Sequence, residues 1–311
     1  PGAQELLTSE REEEVCFVCH DGSVARGDLR SVFRKPFRHS VARTTGVHVP
    51  GENPLNIGDH VECADCHNPH RALKMEAEPP LVMGVLVGVS GINADGLPVE
   101  EAMYEYEVCF KCHGEDQPPL VSSISRQIES QGLLRELSPS SPSFHPVEAP
   151  GRNAFVPSLI PPYTVASMIY CSDCHGSDAD SVGAVAGPHG SSHEYLLKKE
   201  YRTGDMISES PNAYALCYEC HSRDSILNDE SFSGHRSHIV DERTPCSVCH
   251  DAHGIDYGIG NESNNAHLIN FDVGVVEPGP AGSPQYESFG PGAGQCSLRC
   301  HGEVHDQTVY P

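Results

Sequence analysis

The sequence predicts a mostly irregular fold, a few short helices and hairpins wrapped around an interior that the chain's own side chains are too few to fill. Three observations predict it. Of 311 residues, 38% are hydrophobic and 6% aromatic, and tryptophan is absent, whereas ordinary domains carry about 45–50% apolar residues with glycine counted. The 29 glycines and 25 prolines favour turns and extended connections over long helices or sheets. All 14 cysteines fall in seven copies of one pattern, a pair of thiols followed at once by histidine.

The seven copies are Cys16-Phe-Val-Cys19-His20, Cys63-Ala-Asp-Cys66-His67, Cys109-Phe-Lys-Cys112-His113, Cys171-Ser-Asp-Cys174-His175, Cys217-Tyr-Glu-Cys220-His221, Cys246-Ser-Val-Cys249-His250 and the wider Cys296-Ser-Leu-Arg-Cys300-His301. Two thiols at this spacing add across the vinyl groups of one porphyrin, and the next imidazole reaches the iron as proximal ligand. Zinc ribbons also use paired cysteines, but they need no histidine at a fixed place, and here it follows every pair. A disulfide scaffold suits short secreted chains better than one of this length. The expectation is a multihaem c-type cytochrome with seven covalent haem c groups stacked in a chain, which together make up the missing core.

Along the chain the motifs alternate. Phe17, Phe110 and Tyr218 follow the first cysteine in motifs one, three and five, and Ala64, Ser172, Ser247 and Ser297 in motifs two, four, six and seven. This gives three pairs and a terminal unit, with expected boundaries at 1–100, 101–205, 206–260 and 261–311. Self-similarity at irregular spacing marks a stacked array. Leu81 to Val99 reads as a hairpin turning at Asp95-Gly96, and Ser122 to Leu137 as one short amphipathic helix. Ser138 to Ser143 reads as a loop. Pro157 to Pro162 reads as extended chain feeding motif four, and Pro278 to Gly294 as a linker before motif seven.

Seven of the 19 histidines are proximal ligands, which leaves twelve. Inside each pair one precedes a valine by two: His39, His145 and His238. After the second motif another recurs: His70, His189 and His253. These six are the expected distal ligands, with His267 preferred to His305 for the seventh haem, so that one of these two is free to serve another subunit. His48, His60, His193 and His235 have no repeated placement and read as solvated or hydrogen-bonded side chains. The five methionines show none either. A second imidazole on every iron closes it against oxygen or substrate.

The net charge of −24 disfavours nucleic acid and anionic membranes and suits basic partners, cations or metal oxides. No apolar run reaches 18 residues, so no membrane span is expected. Haem attaches to such motifs outside the cytoplasm, so the chain reads as an exported one without its leader. The pattern Glu-Val-Cys-Phe-x-Cys-His, His-x-Val, Cys-x-x-Cys-His-Asn-Pro-His resembles the doubled CxxCH family of multihaem cytochromes. The resemblance implies an exported, extracellular electron carrier with bis-histidine haems. Relatives polymerise into extracellular filaments, and with the unpaired seventh haem and its spare histidine the expectation is a head-to-tail filament of copies of the chain, with upstream redox cytochromes and extracellular acceptors such as metal oxides as further partners. Two alternatives stay open: a monomeric periplasmic shuttle, and a nitrite, hydroxylamine or sulfur-oxyanion reductase, whose catalytic haem would sit at the irregular motif seven. No catalytic residue is assigned.

Overall fold

The computed structural model describes residues 9, 11–42, 61–115, 123–178 and 184–311; His48 and His60 lie outside them. The described chain is mostly irregular, as its composition predicts. Its helices are α1 (Glu12–Phe17), α2 (Leu29–Val32), α3 (Cys63–Cys66), α4 (Glu105–His113), α5 (Leu133–Glu136), α6 (Cys171–Cys174), α7 (Arg223–Leu227) and α8 (Cys246–Cys249). The strands are β1 (Phe37–Arg38), β2 (Gly91–Ile92), β3 (Pro98–Val99), β4 (Gly190–Ser191), β5 (Val276–Glu277), β6 (Gln285–Gly290), β7 (Ala293–Cys300) and β8 (Glu303–Tyr310).

Two compact units share these elements. Residues 1–114 and 170–199 form the first, which carries motifs one to four; residues 115–169 and 200–311 form the second, which carries motifs five to seven. In the first unit β1 pairs antiparallel with β4, joining the segment after motif one to the segment after motif four. Lys35 and Asp178 form an ion pair across the same junction. The hairpin β2–β3 is shorter than the sequence predicts, because only Gly91–Ile92 and Pro98–Val99 pair. Its turn falls at Asp95-Gly96 as expected, with Gly96 in the left-handed region at φ 75° and the Asn93 carboxamide oxygen accepting from the N–H groups of Asp95 and Leu97.

In the second unit the expected helix over 122–137, whose residue 122 lies outside the described residues, reduces over 123–137 to the single turn α5. Gly132 breaks it at φ 144°, and the residues before it run extended, Gln127 N–H donating to Phe271 O at 2.8 Å. Arg126 anchors that segment. Its guanidinium donates to the carbonyls of Ser247 (2.7 Å), Asn270 (2.8 Å) and His250 (2.9 Å) and meets Asp251 at 3.3 Å. The expected linker over 278–294 also resolves differently: β6 pairs with β7 through Gln285↔Ser297 to Gly290↔Ala293. Tyr286 is buried there, in a cluster with Val248, Ile269, Phe271, Val276 and Leu298, so packing overrides the turn-rich composition. β5 and β6 share one edge of β7, and β8 takes the other.

Because three backbone carbonyls converge on one planar fork, lysine cannot replace it. Arg126→Lys and Arg126→Met are expected to cost the second unit on the order of 2–4 kcal/mol, read as a lowered thermal midpoint in the full holoprotein.

Candidate haem-binding sites

Six of the seven motifs close into a helical turn, and one backbone bond closes it. The N–H of the motif histidine donates to the carbonyl of the first cysteine in His20 (3.0 Å), His67 (2.9 Å), His175 (2.9 Å), His221 (3.0 Å) and His250 (2.9 Å), and motif three forms the last turn of α4. Three residues of such a turn advance only about 4.5 Å, which keeps both thiols near one porphyrin edge. Asp65 and Asp173, inside motifs two and four, accept from the N–H that opens their own turns, at 2.7 Å from Glu62 and 2.8 Å from Tyr170. This satisfies donors that a helix start leaves open.

Motifs one and two, three and four, and five and six lie side by side. Thiol hydrogen bonds join Cys16 to Cys63, Cys109 to Cys171 and Cys217 to Cys246. In each couple one thiol is raised: bonding to its partner and burial push Cys63, Cys109 and Cys246 up. Acidic residues four before the first cysteine brace two of the pairs. Glu12 accepts from Ala64 N–H at 2.7 Å, and Glu105 accepts from both the N–H (3.3 Å) and the hydroxyl of Ser172. The third pair has Ala213 at that place; there the Ser247 hydroxyl donates to Thr203 O at 3.3 Å. Further along, burial raises the Cys66 thiol to about 12, with the charges of Cys109 and Cys112 felt nearby. Cys249 rises to about 12 for the same reason, beside Cys296 and Cys300.

The imidazoles show a second regularity. An iron ligand needs one ring nitrogen free, and a bond at the other fixes which one. Nδ1 faces a backbone carbonyl in His67 (Val85 O, 3.0 Å), His175 (Tyr195 O, 2.9 Å), His250 (His267 O, 2.9 Å), His39 (Pro188 O, 2.7 Å), His189 (Ala186 O, 2.8 Å), His238 (Gly234 O, 2.5 Å) and His145 (Ala252 O). His221 Nδ1 meets the Ser158 hydroxyl at 2.9 Å. A carbonyl only accepts, so Nδ1 carries the proton and Nε2 is left for metal. The proline-rich stretch, expected to feed motif four, thereby serves motif five: besides Ser158, Ile160 N–H donates to Cys220 O at 3.0 Å.

Two imidazoles on one iron, each bonded at about 2 Å, stand about 6 Å apart between ring centres. The structure brings His39 to 6.1 Å from His113 and His189 to 5.9 Å from His67. It sets His145 beside His221, whose ring is lowered to about 4 first by burial and then by that neighbour. His238 lies 6.0 Å from His305. His253 stands 3.5 Å from Glu136, and burial opposed by that carboxylate leaves its pKa raised. His70 is exposed on the turn after motif two, its N–H donating to Asn68 Oδ1 at 3.1 Å.

His267 is placed unlike these. The Asn153 carboxamide oxygen accepts from Phe155 N–H at 3.0 Å, so its nitrogen donates to His267 Nδ1 at 2.9 Å and the ring proton falls on Nε2. Around its backbone the chain repeats an earlier loop. Tyr195-Leu196 and His267-Leu268 are both left-handed, at φ 58°, 58°, 58° and 63°. Leu196 O and Leu268 O accept from Gly176 and Asp251, and Lys198 and Asn270 donate to Cys174 O and Cys249 O. His267 thus occupies the place of Tyr195, steadying a motif histidine through its carbonyl; the equivalence lies in the backbone, because the two side chains differ.

The donor set of the first six motifs fits haem c. Motif seven, as folded, does not. Cys296 and Cys300 lie on β7, about 13 Å apart at the rise of an extended strand, and His301 Nε2 contacts the Asp205 carboxylate at 2.9 and 3.1 Å.

A doubled CXXCH motif model matches residues 164–226, which span motifs four and five. No curated protein and no solved structure matches the chain. Motif model and motif geometry together support a multihaem c-type cytochrome that binds haem c covalently and transfers electrons. No helix among the described residues is long and apolar enough to cross a membrane.

The Lys35–Asp178 pair supports the β1–β4 junction that presents His39 and His189. Burial alone would raise Asp178, but Lys35 and the Ser192 N–H and hydroxyl outweigh it and bring the carboxyl to about 2. A carboxyl depressed in the fold stabilises it above the unfolded value near 3.9, and that contribution is lost as pH falls towards about 2. Acid titration followed by the haem spectrum should show low-spin haem lost at higher pH in Asp178→Asn than in the native protein.

Proposed function

We propose that this chain is an electron-transfer c-type cytochrome that carries respiratory electrons along a closely spaced row of bis-histidine haems. One observation carries the reading. Thiols of successive motifs lie close together in each unit: Cys16 bonds Cys63 and Cys109 bonds Cys171 in the first, with Cys66 near enough to feel the charges of Cys109 and Cys112, and Cys217 bonds Cys246 in the second, with Cys249 feeling those of Cys296 and Cys300. Porphyrins anchored there would be neighbours in chain order.

Haem c supplies a one-electron iron couple; the chain's residues hold and close it. Cysteine pairs would fix each porphyrin edge, and His67, His175, His221 and His250 would present Nε2 with Nδ1 already bonded. His39, His189 and His145 would bring a second imidazole to the irons of motifs three, two and five, which would leave no position there for substrate. The full complement on this reading is seven haems, and the seventh requires β7 to leave its strand conformation and close into a turn like the others.

We place the protein outside the cytoplasm as an extracellular or cell-surface carrier. Its partners are copies of itself joined head to tail into a filament, cytochromes upstream, and external acceptors such as metal oxides. The acidic charge of −24 suits the last. A head-to-tail contact does not close on itself and so extends.

Intact mass with pyridine haemochrome analysis of the exported protein should give seven covalent haems; a mass carrying six removes the seventh. Spectra should be low-spin in both redox states, with carbon monoxide binding to none of the haems; tight binding at one iron would overturn the carrier in favour of a reductase. Electron microscopy of the native protein should show filaments, and discrete particles at every concentration would leave a shuttle.

A further inference from the structure

By repetition along the chain, the distal ligand within the third pair is His238, the counterpart of His39 and His145. The structure gives that residue another direction. His39 stands opposite His113 and His145 beside His221; each belongs to one pair and meets the first motif of the next. Translated by one unit, His238 belongs with motif seven, and its ring does lie against the hairpin that carries that motif, 6.0 Å from His305 and 5.8 Å from Tyr310. Motif six therefore takes its second imidazole from elsewhere.

We propose that His235 is the sixth ligand of the haem iron on motif six. Its ring centre lies 6.3 Å from that of His250, close to the 6.1 and 5.9 Å of the His39–His113 and His67–His189 couples. Both rings are half-buried. His250 is locked at Nδ1 by His267 O (2.9 Å), and His235 Nδ1 lies 3.4 Å from the Ser231 hydroxyl, so each keeps Nε2 for metal. Phe232 meets the His235 ring edge-on at 5.3 Å and restrains its rotation. Gly234 allows the approach, since a Cβ there would come within 2.8 Å of Phe232, 2.9 Å of Tyr310 and 3.0 Å of His238. His235 and His238, three residues apart on one turn, thus serve different haems.

The proposal rests on covalent haem at motif six, and the experiment separates the two. In the full-length holoprotein, His235→Ala should keep the native haem count, gain one high-spin ferric haem per chain and bind one carbon monoxide when reduced, and added imidazole should restore the low-spin spectrum. In a Cys246→Ala/Cys249→Ala protein the same substitution should open no further iron. His235→Met covers the case in which the alanine variant does not fold: it should show a methionine–iron charge-transfer band at one haem. A native haem count with His235→Ala still wholly low-spin, or His238→Ala opening the motif-six iron, would overturn the assignment, as would a His235→Met protein lacking that band. A native protein without covalent haem at Cys246 and Cys249 would instead refute the haem reading beneath it.

Discussion

The hydrogen bond from an imidazole Nδ1–H to a main-chain carbonyl is the constraint on which the arrangement of this protein depends. It selects the tautomer, aims Nε2, and fixes the ring plane with a group that cannot titrate or rotate away. Each such bond must be brought by a length of chain folded for the purpose. The loops at Val85, Tyr195 and His267 perform that task for motifs two, four and six, and Pro188, Ala252 and Gly234 for the distal set. Loops that look like irregular connections are therefore the supports of the sites.

The same logic explains the scarcity of regular structure. A helical turn of four or five residues is enough to set two thiols and one histidine, and a longer helix would carry the next motif away from its partner. The backbone groups left open by such short turns are satisfied by side chains from the paired motif or the motif itself: Glu12 on Ala64, Glu105 on Ser172, Asp65 and Asp173 on their own first N–H. Stability is spread over many local braces, with small apolar clusters such as Val89, Ala102 and Val108 in the first unit and Ala213, Tyr214, Leu227 and Ile239 in the second.

Motif seven departs from this scheme. Its strand is held on both edges, by β6 with Tyr286 buried beneath it and by β8. That pairing holds the segment extended and separates the thiols. The irregular spacing, one residue wider than in the other motifs, coincides with the irregular conformation.

What the sequence by itself determined is the chemistry and the pairing: fourteen thiols, seven fixed histidines, alternating Phe/Tyr and Ala/Ser after the first cysteine, and the Asp-Gly turn. These depend on residues within a few positions of one another, where spacing fixes geometry. The tertiary structure decided which distant imidazoles meet. His39 and His189 pair with His113 and His67, in motifs far along the chain. His267 repeats Tyr195 through its backbone, and His235, unmatched in the other repeats, comes to lie opposite His250. Repetition in sequence marks histidines that do the same job in each unit, but the partner of each is set by how the loops pack back on the motif turns, and that packing is long-range.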